Sequence, residues 1–117
     1  MTKYTILHNP RCSKSREALQ LLQQYKVSFN TVEYLKKPLN EKELKQLFKK
    51  LGHPVLDGMR TNEKICKEHN IKKSGLSDNE LLQFIAEHPT SLQRPIVFSD
   101  TKAVIARPPE ILEEWLA

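Results

Sequence analysis

Hydrophobic and polar positions in the first third of the chain predict a strand, a helix and a second strand. Residues 3–7 are a short apolar run that ends at an Asn-Pro pair, as strands bounded by turns do. Over residues 13–25 the apolar side chains recur at the i, i+3, i+4, i+7 spacing of an amphipathic helix. Residues 27–34 are rich in β-branched and aromatic side chains and predict a strand. A helix that connects two strands in this order predicts a parallel pair.

The middle of the chain keeps helical periodicity. Apolar residues between 44 and 51 repeat at helical spacing, and Asn40 followed by Glu43 is a typical helix start. A short helix is predicted over residues 63–69, and a capping box opens another over residues 80–87. This succession, without an intervening strand, predicts a helical block.

The last third of the chain returns to strands. Two short apolar runs, residues 95–99 and 103–106, flank a polar turn and predict a hairpin. Pro108 and Pro109 then open a closing helix. The predicted order is β-α-β, a helical block and β-β-α, which is an α/β fold. The 117 residues are enough for one domain.

The composition is that of a globular domain in a reducing compartment. Apolar residues make up 38% and charged residues 28% of the chain, and no stretch resembles a membrane span or a secretory signal. Two cysteines are too few for a disulfide framework. We therefore expect a cytoplasmic protein that does not associate with membranes.

The cations favour an anionic partner. Nineteen Lys and Arg against fourteen Asp and Glu give a net charge of +5, which suits a nucleic acid or a small oxyanion. Lys42, Lys45 and Lys49 lie at helical spacing and are best interpreted as a solvated face. Arginine has the planar fork that grips a tetrahedral anion. The five arginines lie at predicted element ends or in loops: Arg11, Arg16, Arg60, Arg94 and Arg107.

Cys12 is the first candidate for chemistry. It follows the first predicted strand and starts the first helix, where free backbone N–H groups and the helix dipole favour an anion. Arg11, Lys14 and Arg16 add positive charge, as would His8 if protonated. These surroundings predict a lowered pKa for the thiol and a reactive thiolate. The alternative interpretation is a small buried hydrophobic residue, the usual role of a free cysteine.

The residues around Cys12 exclude several thiol chemistries. A phosphatase loop has Arg six residues after the cysteine, where this chain has Ala18. A dithiol oxidoreductase has a second cysteine where this chain has Ser15, so a redox cycle at Cys12 needs an external thiol. Cys66 lies in an ordinary short helix and is most simply a buried residue, although a resolving role stays open. The sequence shows no metal-ligand spacing and no glycine-rich nucleotide loop.

Three of the arginines occupy positions suited to binding. Arg94 precedes Pro95 at the start of the hairpin, where a cis peptide would bring its backbone against an active site. Arg107 precedes Pro108 at the end of the hairpin, and Arg60 lies between two helical pieces. Each of them alone is more simply a surface cation.

The combination of these residues resembles the glutaredoxin-linked arsenate reductase (ArsC) family over nearly the whole chain. The matching segments are His8-Asn9-Pro10-x-Cys12-x-x-Ser15-Arg16, Arg60, Arg94-Pro95-Ile96 and Arg107-Pro108. The resemblance implies one thioredoxin-like domain over residues 1–117, with a βαβ…ββα core and a helical insertion over about residues 38–92 between its two halves. One departure is Ser13, where many members of the family have Gly.

The resemblance also implies a reaction. Cys12 would attack arsenate, glutathione would attack the adduct as a co-substrate, and glutaredoxin would release arsenite, with no bound cofactor or metal. The oxyanion and the adduct would be held by three arginines, Arg60, Arg94 and Arg107. His8 would help to lower the pKa of Cys12, and Ser15 would hydrogen-bond to its thiolate. The biological role implied is arsenical resistance.

Two other functions compete with this interpretation. Spx-like transcription regulators, which bind RNA polymerase and sense thiol stress, share the resemblance around residues 94–96. Their sensing form typically has C-x-x-C and lacks the later arginine, so His8, Ser15 and Arg107 favour the enzyme. Direct nucleic-acid binding rests on net charge alone, because the sequence has no recognisable binding motif or aromatic stacking platform. We therefore expect an enzyme without a nucleic-acid partner.

Overall fold

The computed structural model describes residues 3–116, and four strands among them form one sheet in the order β2-β1-β3-β4. Their bounds are β1 Lys3–Leu7, β2 Ser28–Val32, β3 Ile96–Phe98 and β4 Ala103–Ile105. β1 pairs in parallel with β2 and antiparallel with β3, which pairs antiparallel with β4. The predicted parallel pair and the predicted hairpin are both confirmed.

The α-helices of the described residues are α1 Ser13–Gln24, α2 Glu41–Leu51, α3 Lys64–Glu68, α4 Asp78–Glu87 and α5 Ile111–Trp115. Contacts within the chain divide it into two compact units. The first runs up to Lys37 and resumes at Arg94, and the second is Pro38–Gln93. The first unit holds the whole sheet with α1 and α5, and the second is helical. The chain therefore has the predicted thioredoxin-like βαβ…ββα order, with helices between the two halves.

The core of the first unit joins the sheet to α1 and α5. Tyr4 and Ile6 of β1 belong to one buried cluster with Ala18 and Leu22 of α1 and Leu112 of α5. Residues two apart on a strand and four apart on a helix share a face, so each element turns one apolar face toward this cluster. The packing fixes the start of α1 against the end of β1, where the candidate thiol lies.

Capping residues set the helix boundaries of the second unit. The Glu43 N–H donates to Asn40 Oδ1 at 2.8 Å, and the Asn40 N–H donates to Glu43 Oε1 at 3.1 Å. α2 ends at Gly52, whose φ of 76° is a left-handed conformation that favours glycine. Ser77 and Glu80 form the same capping box at the start of α4. The predicted start signals are confirmed because they depend on local side-chain chemistry, although α4 begins at Asp78 and not at residue 80.

Several elements differ in length from the sequence pattern, and β2 and α5 are two of them. β2 is shorter than the predicted run of residues 27–34. α5 begins only at Ile111, because the Ile111 and Leu112 N–H groups donate to Pro108 O and Pro109 O, three residues back. This bonding makes a tight turn of the two prolines rather than a turn of α-helix. No helix among residues 3–116 is long and apolar enough to span a membrane.

Candidate active site

Cys12 is the N-cap residue of α1, at the end of the loop that leaves β1. Its backbone is extended, with φ −95° and ψ 121°, and its side chain is partly exposed. The Cys12 N–H donates to Asn9 O at 2.9 Å, and the Cys12 carbonyl accepts from the Arg16 N–H at 3.0 Å. The thiol is therefore held where the first N–H groups of α1 have no acceptor within the helix.

Asn9 organises this loop, a role that the sequence interpretation missed. The Asn9 N–H donates to Ser15 Oγ at 3.0 Å, and Asn9 Oδ1 accepts from the Arg11 N–H at 3.0 Å. Asn9 is buried although it lies in a loop. The sequence could have indicated this role, because an Asn side chain readily accepts a hydrogen bond from the backbone N–H two residues further along. In the sequence, Asn9 stands out only as part of an Asn-Pro turn pair and of the segment that resembles the ArsC family.

Ser15 and His8 form a buried pair beneath the loop. Ser15 is fully buried, His8 is 6% exposed, and Ser15 Oγ and His8 Nδ1 share a hydrogen bond of 2.6 Å. The Ser15 hydroxyl thus bonds to His8 and Asn9, whereas it is the Ser15 backbone N–H that acts on Cys12. The implied contact from the Ser15 hydroxyl to the thiolate is corrected to a contact from the backbone.

The charge of His8 also differs from the expectation. Burial lowers the pKa of His8, the Glu33 charge raises it and the Arg16 charge lowers it, and the net pKa falls below 6.5. The imidazole is therefore largely neutral near pH 7. His8 supports the loop through Ser15 and supplies little positive charge toward Cys12. Glu33, which follows β2, was not singled out by the sequence analysis.

The thiol of Cys12 has a lowered pKa, but only in part for the reasons expected. Burial raises the pKa of Cys12. Hydrogen bonds from the Ser15 N–H, from Arg94 and from the Lys14 N–H lower it, as does the charge of Arg94. The lowering contributions outweigh the effect of burial, so the net pKa is below its ordinary value. The stabilisation is therefore directed at the thiolate.

The neighbouring side-chain cations have other partners. Arg16 Nη1 donates to Pro10 O at 2.8 Å and so ties α1 to the loop. Lys14 Nζ lies 3.7 Å from a carboxylate oxygen of Glu17. The side chain that acts on the thiolate comes instead from Arg94, far away in the sequence. The expectation that Arg11, Lys14 and Arg16 supply the charge is corrected accordingly.

Arg94 and Arg107 lie together at the ends of the hairpin. Arg107 Nη1 donates to Arg94 O at 3.2 Å, and the peptides before Pro95 and Pro108 are both cis. Arg107 is exposed, and Arg94 is half-buried against Cys12. The first unit therefore brings together a thiolate, a guanidinium that touches it and a second guanidinium bonded to the backbone of the first.

Arg60 and Cys66 lie in the second unit. Arg60 Nη1 is 3.7 Å from Glu63 Oε2, and both side chains are half-buried. Cys66 is 1% exposed, and burial, with the nearby charge of Glu63, raises the pKa of its thiol. Cys66 therefore has the environment of an unreactive core residue. Among residues 3–116, no group of three His, Cys, Asp or Glu is arranged to hold a metal ion.

A thiolate flanked by a guanidinium and by the N–H groups of Lys14 and Ser15 suits attack on a tetrahedral oxyanion, because the same groups stabilise the charge of the anion. A thioredoxin-like fold with such a thiolate is typical of thiol-based oxidoreductases. Comparison with known proteins makes the class specific. The model of the ArsC family matches residues 7–115.

Individual relatives agree with this match. An arsenate reductase from Neisseria meningitidis is 43% identical over 117 residues, covering 99% of this chain and 100% of the relative. Escherichia coli K12 has an uncharacterized protein, YfgD, that is 45% identical over 112 residues and 94% of each chain. The solved structure of an arsenate reductase from Vibrio cholerae superposes with a TM-score of 0.91 at 41% identity, covering 97% of both chains. This chain belongs to the ArsC family.

Proposed function

We propose that this protein reduces arsenate to arsenite, with Cys12 as the nucleophile. The observation that carries the proposal is the convergence of the Arg94 guanidinium and the N–H groups of Lys14 and Ser15 on the Cys12 thiol. The same donors that stabilise the thiolate would stabilise negative charge on an arsenate oxygen during attack. The proteins named arsenate reductase among its relatives support this substrate.

The proposed chemistry starts from the thiolate. Cys12 Sγ attacks As(V), and one arsenate oxygen takes up protons and leaves as water, giving a covalent Cys–S–As(V) adduct. One thiol from glutathione and one from glutaredoxin then supply two electrons. As(V) becomes As(III), the two sulfurs leave as a mixed disulfide, and hydrolysis releases arsenite and restores Cys12. External thiols are needed because Ser15, at the start of α1, takes the place of a second cysteine.

In this proposal, the remaining residues of the site either bind the oxyanion or support the loop that holds Cys12. Arg94 and Arg107, with Arg60, hold the oxyanion and the adduct through charged hydrogen bonds. His8 and Ser15 keep the loop in the shape that presents the N–H groups of α1. Glutathione is a co-substrate, and the protein needs no bound cofactor. Its dependence on reduced glutathione makes the cytoplasm its proposed compartment and arsenical resistance its proposed role.

The test is an assay with purified protein, arsenate, glutathione, glutaredoxin and an NADPH-coupled system that recycles oxidised glutathione. We expect arsenate-dependent loss of NADPH with the wild-type protein and with Cys66→Ala, and none with Cys12→Ser. Omitting glutathione or glutaredoxin singly should stop turnover. Retained activity in Cys12→Ser would overturn the role of Cys12. An inert wild-type protein would overturn the substrate, whatever the reactivity of Cys12.

A further inference from the structure

The backbone around Arg60 is fixed by its neighbours. The Arg60 N–H donates to Ser91 O at 2.7 Å, and the Gln93 N–H donates to Gly58 O at 2.9 Å. Met59 and Leu92, between these two contacts, form an antiparallel bridge. The Gly58 carbonyl and the Arg60 N–H, on either side of Met59, are thus both hydrogen-bonded, and the backbone that carries the Arg60 side chain has a defined position.

The guanidinium of Arg60 has unused hydrogen-bonding capacity. Its Nη1 atom is buried, yet no hydrogen-bond acceptor among residues 3–116 reaches it. Its ionic neighbour, Glu63 Oε2, lies 3.7 Å away, which is too long for a hydrogen bond. Buried polar groups are normally satisfied, so this arrangement is suited to an anion that supplies the missing acceptor.

Glu63 is held beside Arg60 by the chain itself. The Glu63 N–H donates to Arg60 O at 2.9 Å, and Glu63 is the residue that precedes α3. The side chains of Arg60 and Glu63 are 24% and 34% exposed, whereas those of Lys36 and Glu33 in another ion pair are 80% and 41% exposed. The charge of Glu63 is therefore less screened by water than that of an ordinary surface pair.

We propose that Glu63 is an internal counter-anion of Arg60, which weakens the binding of an oxyanion to this arginine. The inference rests on the proposed function, in which Arg60 is one of the oxyanion ligands. An incoming arsenate would meet the repulsion of the Glu63 carboxylate and would share the guanidinium with it. Removing the charge of Glu63 while keeping its shape should therefore increase the affinity for arsenate.

Glu63→Gln tests the proposal, because the amide oxygen stays as an acceptor while the negative charge is lost. We expect the KM for arsenate to fall by about threefold to tenfold, with kcat within about twofold of the wild-type value. Glu87→Gln is the matched control, since it makes the same change of charge at an exposed position of the second unit. Its KM should not change. Added salt should reduce the difference between Glu63→Gln and wild type.

Equilibrium binding separates this inference from the proposed function. Arsenate is titrated calorimetrically into Cys12→Ser, where no adduct forms, with and without Glu63→Gln and Arg60→Ala. Tighter binding in Glu63→Gln that disappears in the Arg60→Ala background supports the proposal, even if turnover is absent and the proposed function fails. Unchanged or weaker binding in Glu63→Gln overturns it, as does a gain that persists without Arg60. Absence of arsenate binding in every variant overturns both.

Discussion

The two cysteines of this chain have nearly opposite environments. Cys12 is a partly exposed N-cap residue, and N–H groups and the Arg94 guanidinium lower the pKa of its thiol. Cys66 lies inside the short helix α3, where burial and the Glu63 charge raise the pKa of its thiol. Both are free thiols in one small protein. Because both residues are cysteines, the difference in pKa comes from the surroundings of each position on its helix.

The comparison also shows where the stabilising groups originate. The donors at Cys12 are backbone N–H groups of α1 and one arginine from the distant hairpin. At Cys66, by contrast, burial and the carboxylate of Glu63 both disfavour the thiolate. Mutations that remove donors from the first site or loosen the second unit should therefore make the two thiols more alike.

The largest effect concerns alkylation of the two thiols in the wild-type protein. Near pH 7, iodoacetamide should modify Cys12 at least about 100-fold faster than Cys66, because Cys12 has more thiolate and more access to solvent. Peptide mass spectrometry after short pulses gives both rates in one sample. Unfolded protein serves as the control, since the two rates should then be similar. Comparable rates in the native protein would contradict the distinction.

Arg94→Ala removes the side chain that contacts the thiolate. We expect kcat/KM for arsenate to fall by about tenfold to 100-fold, which corresponds to the about 1.5–3 kcal/mol of a charged hydrogen bond. The pKa of Cys12 should rise, because both the hydrogen bond and the charge of Arg94 lower it. Arg94→Lys is the control that keeps the positive charge without the planar guanidinium. Its kcat/KM and the pKa of its Cys12 should lie between those of the wild type and of Arg94→Ala. An unaltered pH profile of alkylation in Arg94→Ala would exclude a direct contact.

Ser15→Ala removes the buried hydroxyl that joins His8 to Asn9. We expect a loss of about 1–3 kcal/mol in the free energy of unfolding, because the Asn9 N–H loses its acceptor in a buried position. Denaturant unfolding measures this loss. Ser13→Ala, at the exposed first position of α1, is the control and should change stability little. Equal effects of the two substitutions would show that the buried network does not support the loop.

Asn40→Ala acts only on the unit that contains Cys66. Loss of the cap at the start of α2 should cost about 1 kcal/mol in the free energy of unfolding. Alkylation of Cys66 should become faster as the second unit opens more often, whereas alkylation of Cys12 should be unchanged. Gln46→Ala, on the exposed face of the same helix, is the control. A matching change at Cys12 would contradict the independence of the two environments.

Much of the fold is predictable from this sequence because its signals are local. Helical periodicity, the capping residues Asn40 and Ser77 and the prolines of the hairpin each depend on a few neighbouring residues. The resemblance to the ArsC family is carried by short segments that the family match also covers. The element lengths are less predictable, since the ends of β2 and α5 depend on hydrogen bonds that the apolar pattern does not contain.

The surroundings of the candidate site are harder to predict because they depend on tertiary contacts. The sequence places Arg11, Lys14 and Arg16 next to Cys12, yet the side chain that reaches the thiol is Arg94, 82 positions further along. The neutral state of His8 depends on its burial, which periodicity in a loop cannot indicate. Residue identities thus predict which groups belong to the candidate site, and the fold decides which of these groups contact Cys12.

The most direct test of the account is the pH titration of the Cys12 thiol, followed by the ultraviolet absorbance of the thiolate in the Cys66→Ala protein. We expect a midpoint below the ordinary thiol value of 9.0, and a higher midpoint after Arg94→Ala. A midpoint at or above 9.0 in the Cys66→Ala protein would contradict it, because the N–H groups of α1 and Arg94 would then not stabilise the thiolate.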